Sequence, residues 1–261
     1  MKLSTFFVSS ALLFSVVVAR PSRLAERVAA RESRRSRPFT ASTSNTVLAG
    51  NVSHAEFSEN WSGVVIESPP SGQTFNKVVG TFVVPTPTGN SGAASAWVGI
   101  DGDTASQSIL QSGVDFTVSG GRVSYDAWFE WFPNFATDFS NFAISSGNTI
   151  TVTVQSTSST RGTVTLTNES TGKTVTQALS APDSAAALRG LNAEWIVEDF
   201  EEGNSLVPFA NFGTVEFTGA AASTSSETLT PASGVILDIE QNGEVLTSVT
   251  SSGSTVTVKH T

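Results

Sequence analysis

The sequence predicts an all-β protein, an antiparallel sandwich, and three observations carry that reading. Apolar and hydroxyl side chains alternate with period two through Thr149-Ile150-Thr151-Val152-Thr153-Val154, Thr163-Val164-Thr165-Leu166 and Thr255-Val256-Thr257-Val258, the pattern of half-buried strands. Turn residues interrupt the chain at short intervals, as they do between the many short strands of a sandwich. Helix signals are scarce: only residues 184–191, with an Ala-Ala-Ala-Leu run, predict a helical turn or two.

Taken in order, residues 1–19 read as a signal peptide. Lys2 precedes an apolar run from Phe6 to Val18, and Val17 and Ala19 hold the small-residue positions before a cut after Ala19. The run is shorter than the about 20 residues that span a bilayer. The expected product is therefore secreted and extracellular, with no membrane partner.

Residues 20–53 form a basic leader whose end is placed between about 51 and 59. Seven arginines (Arg20, Arg23, Arg27, Arg31, Arg34, Arg35 and Arg37) face only Glu26 and Glu32 there, whereas from His54 onward six basic residues face 21 acidic ones. A basic leader ahead of a strongly acidic domain predicts a propeptide. It would dock on the domain at neutral pH as an intramolecular inhibitor and loosen when acid protonates the carboxylates, an attraction that salt screens. A basic tail for nucleic acid or wall polymers is the competing reading; a secretory address argues against its nucleic-acid form, and no nucleic-acid partner is expected.

Residues 54–261 fit one domain without internal repeats, expected to act as a monomer. Pro85, Pro87 and the glycines at 89 and 92 mark a long loop before the strand of Trp97. Asn242-Gly243, between strands predicted over 235–240 and 244–249, is a hairpin signal, and 169–172 is a weaker one. The chain has no cysteine, so stability must come from the core, and cysteine nucleophiles or cysteine-held metals are excluded. His54 and His260 are the only histidines, which argues against a Ser-His-Asp triad or a histidine-rich metal site. No metal, nucleotide or other cofactor is expected. Carboxylate and amide chemistry remains.

Those groups are concentrated in four stretches: Trp97 to Asp101, Gln111 to Asp115, Asp126 to Glu130, and Glu194 to Glu198. At strand spacing, Trp97, Gln111, Asp115, Asp126, Trp128, Glu130, Glu194 and Glu198 point to one side of a sheet. Val98, Ile100, Ala127, Phe129, Trp195 and Val197 point to the other. A face that mixes carboxylates with indoles has the composition of a substrate groove. Carboxylates gathered on one sheet raise one another's pKa values and cost less stability in acid, so the placement suggests a protein that works in acid.

The stretches Asn60-Trp61-Ser62-Gly63, Ala96-Trp97-Val98-Gly99-Ile100-Asp101-Gly102-Asp103, Ile109-Leu110-Gln111-Ser112-Gly113, Tyr125-Asp126-Ala127-Trp128-Phe129-Glu130-Trp131 and Asn192-Ala193-Glu194-Trp195-Ile196-Val197-Glu198-Asp199-Phe200 resemble, in order, the fungal glutamic peptidases or eqolisins. The resemblance runs from about Asn60 to the C-terminus. It implies a concanavalin-like sandwich of two large bent antiparallel sheets and a preproenzyme. It also implies an endopeptidase that acts on protein or peptide substrates in acid and resists pepstatin. It further implies a catalytic dyad of Gln111 and Glu198, and a cleft lined by Trp97, Asp101, Asp115, Asp126, Trp128 and Glu130. Periodicity alone leaves Glu194 and Glu198 open as the acid; the motif match selects Glu198 and leaves Glu194 on the cleft face.

The side chains suit the implied chemistry. An ionised Glu198 can take a proton from attacking water and return it to the leaving amine. Gln111 can offer its NH₂ to the developing oxyanion and stays neutral at every working pH. Two other classes use similar residues. A glycoside hydrolase would recruit Asp126, Glu130 and Glu198 but give Gln111 no essential role. A carbohydrate-binding module would explain the aromatics but not a basic propeptide. Sequons at Asn51, Asn60 and Asn168 suit a secreted chain, with Asn168, at a predicted turn, the expected glycan site.

Overall fold

The computed structural model describes residues 33–43 and 55–261; the predicted signal peptide and most of the leader lie outside the described residues. The longer strands are β1 (Trp61–Ile66), β2 (Lys77–Val83), β3 (Ser91–Ile100), β4 (Ile109–Ser119), β5 (Arg122–Phe132), β6 (Thr149–Ser158), β7 (Arg161–Asn168), β8 (Lys173–Ser180), β9 (Ala193–Glu198), β10 (Thr214–Ser223), β11 (Val235–Gln241), β12 (Thr247–Ser252) and β13 (Thr255–His260). One sheet has the order β11-β1-β9-β3-β4-β5, and the other β8-β7-β6-β2-β10-β13-β12. All of these neighbours pair antiparallel; a short strand, Ala55–Ser58, adds to β11 in parallel.

Period two decides what each strand buries. Val98 and Ile100 of β3, Val114 of β4 and Trp195 and Val197 of β9 meet Phe82 of β2, Val152 of β6, Leu166 of β7 and Val256 of β13 in one apolar core between the sheets. Trp195 spans that core, and its indole N–H reaches the Val79 carbonyl of the opposite sheet at 2.8 Å. Its ring fits because β2 has Gly80 beneath it, where a Cβ would lie 2.9 Å from the indole. The other face of the first sheet carries a smaller apolar cluster, including Trp61, Trp97, Trp128 and Ile196, under the polar groups singled out above.

Gly63 is where backbones approach most closely. It holds φ 145°, and a Cβ there would lie 2.0 Å from the carbonyl oxygen of Trp195 on the neighbouring strand. Gly63→Ala is expected to destabilise the fold by more than about 3 kcal/mol, because neither the backbone angle nor the adjacent strand can yield cheaply. The urea midpoint measures this, and an unchanged midpoint would refute it.

Two local expectations are corrected. Residues 184–191 form one bend, a short turn at 185–186 and irregular chain, not a helix. Asp183 Oδ1 takes the N–H groups of Ala185 and Ala186, and the N–H groups of residues 189 to 192 go to Asp101, so the backbone donors are claimed by side chains. The Asn242-Gly243 hairpin forms, with both residues at positive φ, but its second arm ends at Val245. The chain then crosses, and β12 joins the other sheet against β13. The hairpin at 169–172 forms and joins β7 to β8, with Asn168 opposite Lys173.

Candidate active site

Register places the polar groups in rows across the sheet. Glu194, Gly99, Gln111 and Glu130 align in one row. Ile196, Trp97, Gly113 and Trp128 form the next, and Glu198, Ser95, Asp115 and Asp126 the third. Gly113 lies between the two indoles: a Cβ there would stand 2.5 Å from the Trp97 Cβ and 2.3 Å from the Ala96 carbonyl. Trp97 reaches into the third row, donating its indole N–H to Glu198 Oε2 at 2.9 Å.

The described part of the leader lies across these rows. Its short strand Arg34–Arg35 pairs antiparallel with Glu201–Glu202, just after β9. Arg34 is 3% exposed, and all five of its guanidinium N–H groups are engaged. Two go to Asp115, at 2.9 and 2.8 Å; the others go to Glu130 at 3.3 Å, Ser95 Oγ at 3.1 Å and Ser36 Oγ at 2.9 Å. The guanidinium also lies over Trp128, 3.8 Å from the ring centroid, and over Phe200 at 4.6 Å, an attraction between cation and π face.

The next two leader residues cap the other carboxylates. The Ser36 N–H donates to Glu130 Oε2 at 3.1 Å and the Arg37 N–H to Glu198 Oε1 at 3.0 Å. The Ser36 side chain is also hydrogen-bonded to Glu198. Asn60 then anchors the chain: its Nδ2 donates to the Pro38 carbonyl, and its Oδ1 accepts from the Thr40 N–H. Beyond, a groove of about 480 Å³ opens between leader residues 37–40 and Gln107, Phe132 and Asp183.

Burial governs the electrostatics. It pushes Glu198 up to about 7, against the lowering influence of Arg34, Ser36, the Arg37 N–H and Trp97. Burial raises Glu130 and Asp115 too, and in both Arg34 pulls the carboxyl back toward ionisation. Asp199 is likewise pushed up to about 7, and Asp103 and Asp238 to about 6, by burial first. Each of these folded-state values exceeds its unfolded one. The stability they contribute is therefore fully present below about pH 4 and is lost as pH rises through about 6 to 7. The melting temperature is expected to fall over that interval; a rise toward neutrality would refute the sign.

Not every residue expected in the cleft lies in it. Asp101 is fully buried with φ 67°, and both its oxygens accept backbone N–H groups from residues 189–192. It thus shapes the turn that leads into β9. Glu194 is fully buried beside Gln111 and, unlike Glu198, makes no hydrogen bond to the leader. Asp126 is half-buried at the end of the third row. Asn168, the expected glycan site, is buried, with its Nδ2 donating to the Ala143 carbonyl and Asn148 Oδ1. Asn60 is similarly engaged, and Asn51 lies outside the described residues. Ser95, Ser36 and Phe200 were not among the expected site residues; the alternation of β3, which puts Ser95 on the face of Trp97, was the signal for the first. Among the described residues no cluster of three His, Cys, Asp or Glu side chains could hold a metal ion, and no helix is long and apolar enough to cross a membrane.

The pattern of the Peptidase A4 family matches residues 59–260, most of the chain and every long strand of the cleft sheet. The chain belongs to the peptidase A4 family, the eqolisins. It is a glutamic endopeptidase by family, a hydrolase of peptide bonds, and the glycosidase and carbohydrate-binding readings are set aside. This eqolisin is 41% identical to aspergillopepsin-2 of Aspergillus niger and 37% identical to scytalidopepsin B of Scytalidium lignicola, in each case over 100% of both chains. It superposes on the crystal structure of scytalido-glutamic peptidase with a transition state analog inhibitor at TM-score 0.71, with 38% identity, covering 78% of this chain and 98% of that one. For aspergilloglutamic peptidase from Aspergillus niger the TM-score is 0.63, with 51% identity over 65% of this chain and 99% of that one.

Proposed function

We propose that this eqolisin is a secreted, pepstatin-insensitive acid endopeptidase that works with Gln111 and Glu198, and that it is made as a monomeric zymogen whose leader blocks the site. The observation that carries this reading is the leader itself. A peptide lies in the cleft with its Arg37 N–H and Ser36 side chain on Glu198, the carboxylate singled out by the motif match.

The block acts on the base. Oε2 of Glu198 is held by Trp97 and Oε1 by the Arg37 N–H, so the oxygen that would receive a proton from water is engaged by the leader. The Ser36 hydroxyl takes the place beside Glu198 that attacking water needs. Gln111, by contrast, makes no hydrogen bond to the leader, so no leader carbonyl is polarised for attack. This is the geometry of an inhibitor rather than of a substrate poised for cleavage.

When the leader departs, water reaches Glu198, and the burial that raises its pKa is relieved. The carboxyl then falls toward the ordinary range near about 4.3, where part of it is ionised in acid. Trp97 keeps Oε2 in place while Oε1 takes the proton of a water attacking the scissile carbonyl. The same oxygen returns the proton to the leaving amine. Gln111 donates its NH₂ to the oxyanion as it forms. Activity rises in acid and falls toward neutrality, where the carboxyls of Asp115 and Glu130 beside the site ionise and oppose the charge of the oxyanion.

The test is cleavage of a denatured protein at acid pH with pepstatin present, using acid-matured protein. Activity that disappears in folded Glu198→Gln supports the reading. Activity that persists transfers the role of base to Glu194, and a wild type without activity refutes the reading.

A further inference from the structure

Glu194 has no part in the mechanism above, yet it is fully buried on the cleft face, in the same sheet row as Gln111. Gly99 separates the two. A Cβ on Gly99 would stand 3.2 Å from Glu194 Oε2, 3.4 Å from the Gln111 Cβ and 2.8 Å from Trp97 Cζ3, so both side chains converge on the space that this glycine leaves. Both carboxyl oxygens of Glu194, and both Nε2 and Oε1 of Gln111, are buried without a protein partner. Buried polar atoms in folded proteins are satisfied, so these four atoms call for a shared partner such as a bound water.

Gln111 has a specific need that such a contact meets. The two ends of its amide are nearly the same size, so packing alone does not decide whether NH₂ or carbonyl faces the cleft. An oxyanion donor requires the NH₂ to face it. A hydrogen-bond donor placed behind the amide selects that orientation by engaging the carbonyl end.

We propose that Glu194 is a positioning residue for Gln111: as a neutral acid it donates, through a bound water, to the Gln111 carbonyl and so aims the NH₂ at the oxyanion. The inference rests on the oxyanion role given to Gln111 above. The surroundings of Glu194 keep it neutral. Burial first, and then the charges of Asp101 and Asp103, push its carboxyl well above the ordinary range; the influences that raise it include no cation and nothing opposes them. A neutral carboxyl has the O–H that the arrangement requires, and an ionised one has none.

Three substitutions on the matured enzyme test this. Glu194→Leu removes the donor and is expected to lower kcat by about 10²-fold, part of the value of an oxyanion donor, with KM within twofold. Glu194→Gln restores a neutral donor at the same reach and is expected to recover kcat to within about fivefold of wild type. Glu194→Asp keeps the acid but withdraws it by one methylene, and should resemble Leu. If Glu194→Leu fails to fold, the contrast between Gln and Asp decides the matter.

A Leu variant with wild-type kcat overturns the proposal. So does a Gln variant as impaired as the Asp one, or a loss confined to KM. Gln111→Ala separates this from the underlying reading. A fully active Gln111→Ala removes the oxyanion role and the positioning role together. An impaired Gln111→Ala beside a fully active Glu194→Leu removes only the second.

Discussion

Glu198→Gln is expected to lower kcat of the matured enzyme by about 10³-fold or more while leaving KM within a few-fold, because only the proton-transfer role is lost. The substitution is isosteric, and the amide oxygen can still accept the Trp97 N–H that holds Glu198 Oε2 at 2.9 Å. In the leader-bound protein it also removes a carboxyl that burial pushes up to about 7, whose ionisation costs stability above that pH. The matured variant should therefore be inactive, and the leader-bound variant should melt no lower than its wild-type counterpart at about pH 8, where an ionised, covered Glu198 is least tolerated. A merely structural role would move the two readouts together, with activity lost because the fold is lost. Gln111→Ala is expected to fall short of this effect, by about 10² to 10³ in kcat, as for other oxyanion donors.

The second large effect belongs to the leader. A peptide spanning residues 33–43 is expected to inhibit the matured enzyme, and Arg34→Ala in that peptide should weaken inhibition by about 10²-fold or more. Removing one partner of a buried ion pair typically costs about 3 to 5 kcal/mol, because the remaining charge is left without compensation. Here the remaining charges are Asp115 and Glu130. Arg34→Lys should fall between: an ammonium keeps the charge but cannot reproduce the two-point contact with Asp115 or the stacking on Trp128. Acid should act in the same direction as Arg34→Ala. A guanidinium stays charged at every working pH, so once Asp115 and Glu130 are protonated it is buried without a counterion and the leader is expelled, against the opposite pull of Glu198, whose carboxyl is raised to about 7 while covered and so favours the bound leader in acid. Dissociation constants of the peptide measured at about pH 8 and about pH 3, chosen because burial raises both carboxyls, check this. Equal values at the two would refute the charge latch, and no inhibition by the wild-type peptide would refute the leader's role.

Much of this was legible in the chain before it folded. A two-residue period depends only on where successive Cβ atoms point, so the alternation in 126–132 and 194–198 assigned Trp128, Glu130 and Glu198 to one face and Ala127, Trp195 and Val197 to the other, without knowledge of any neighbour. Composition likewise restricted the chemistry to carboxylates and amides, and the charge contrast between leader and domain announced their attraction.

Register, burial and the partners of each side chain were decided only by the tertiary structure, because they depend on which strands lie side by side. Nothing local distinguishes Arg34 from the other arginines of the leader; its importance comes from Asp115, Glu130, Ser95 and Trp128, brought together from three strands. Asp101 shares a motif with Trp97, yet its carboxylate was claimed by a turn almost ninety residues further on. The same turn took the backbone donors that a helix over 184–191 would have used. The difference between Glu194 and Glu198, four residues apart on one strand face, is likewise tertiary: the first is buried without a protein partner in the row of Gln111, and the second accepts the Arg37 N–H. Sequence by itself determined which groups of a strand share a face; only the packing of distant strands decided which of them are paired and which are buried without a partner.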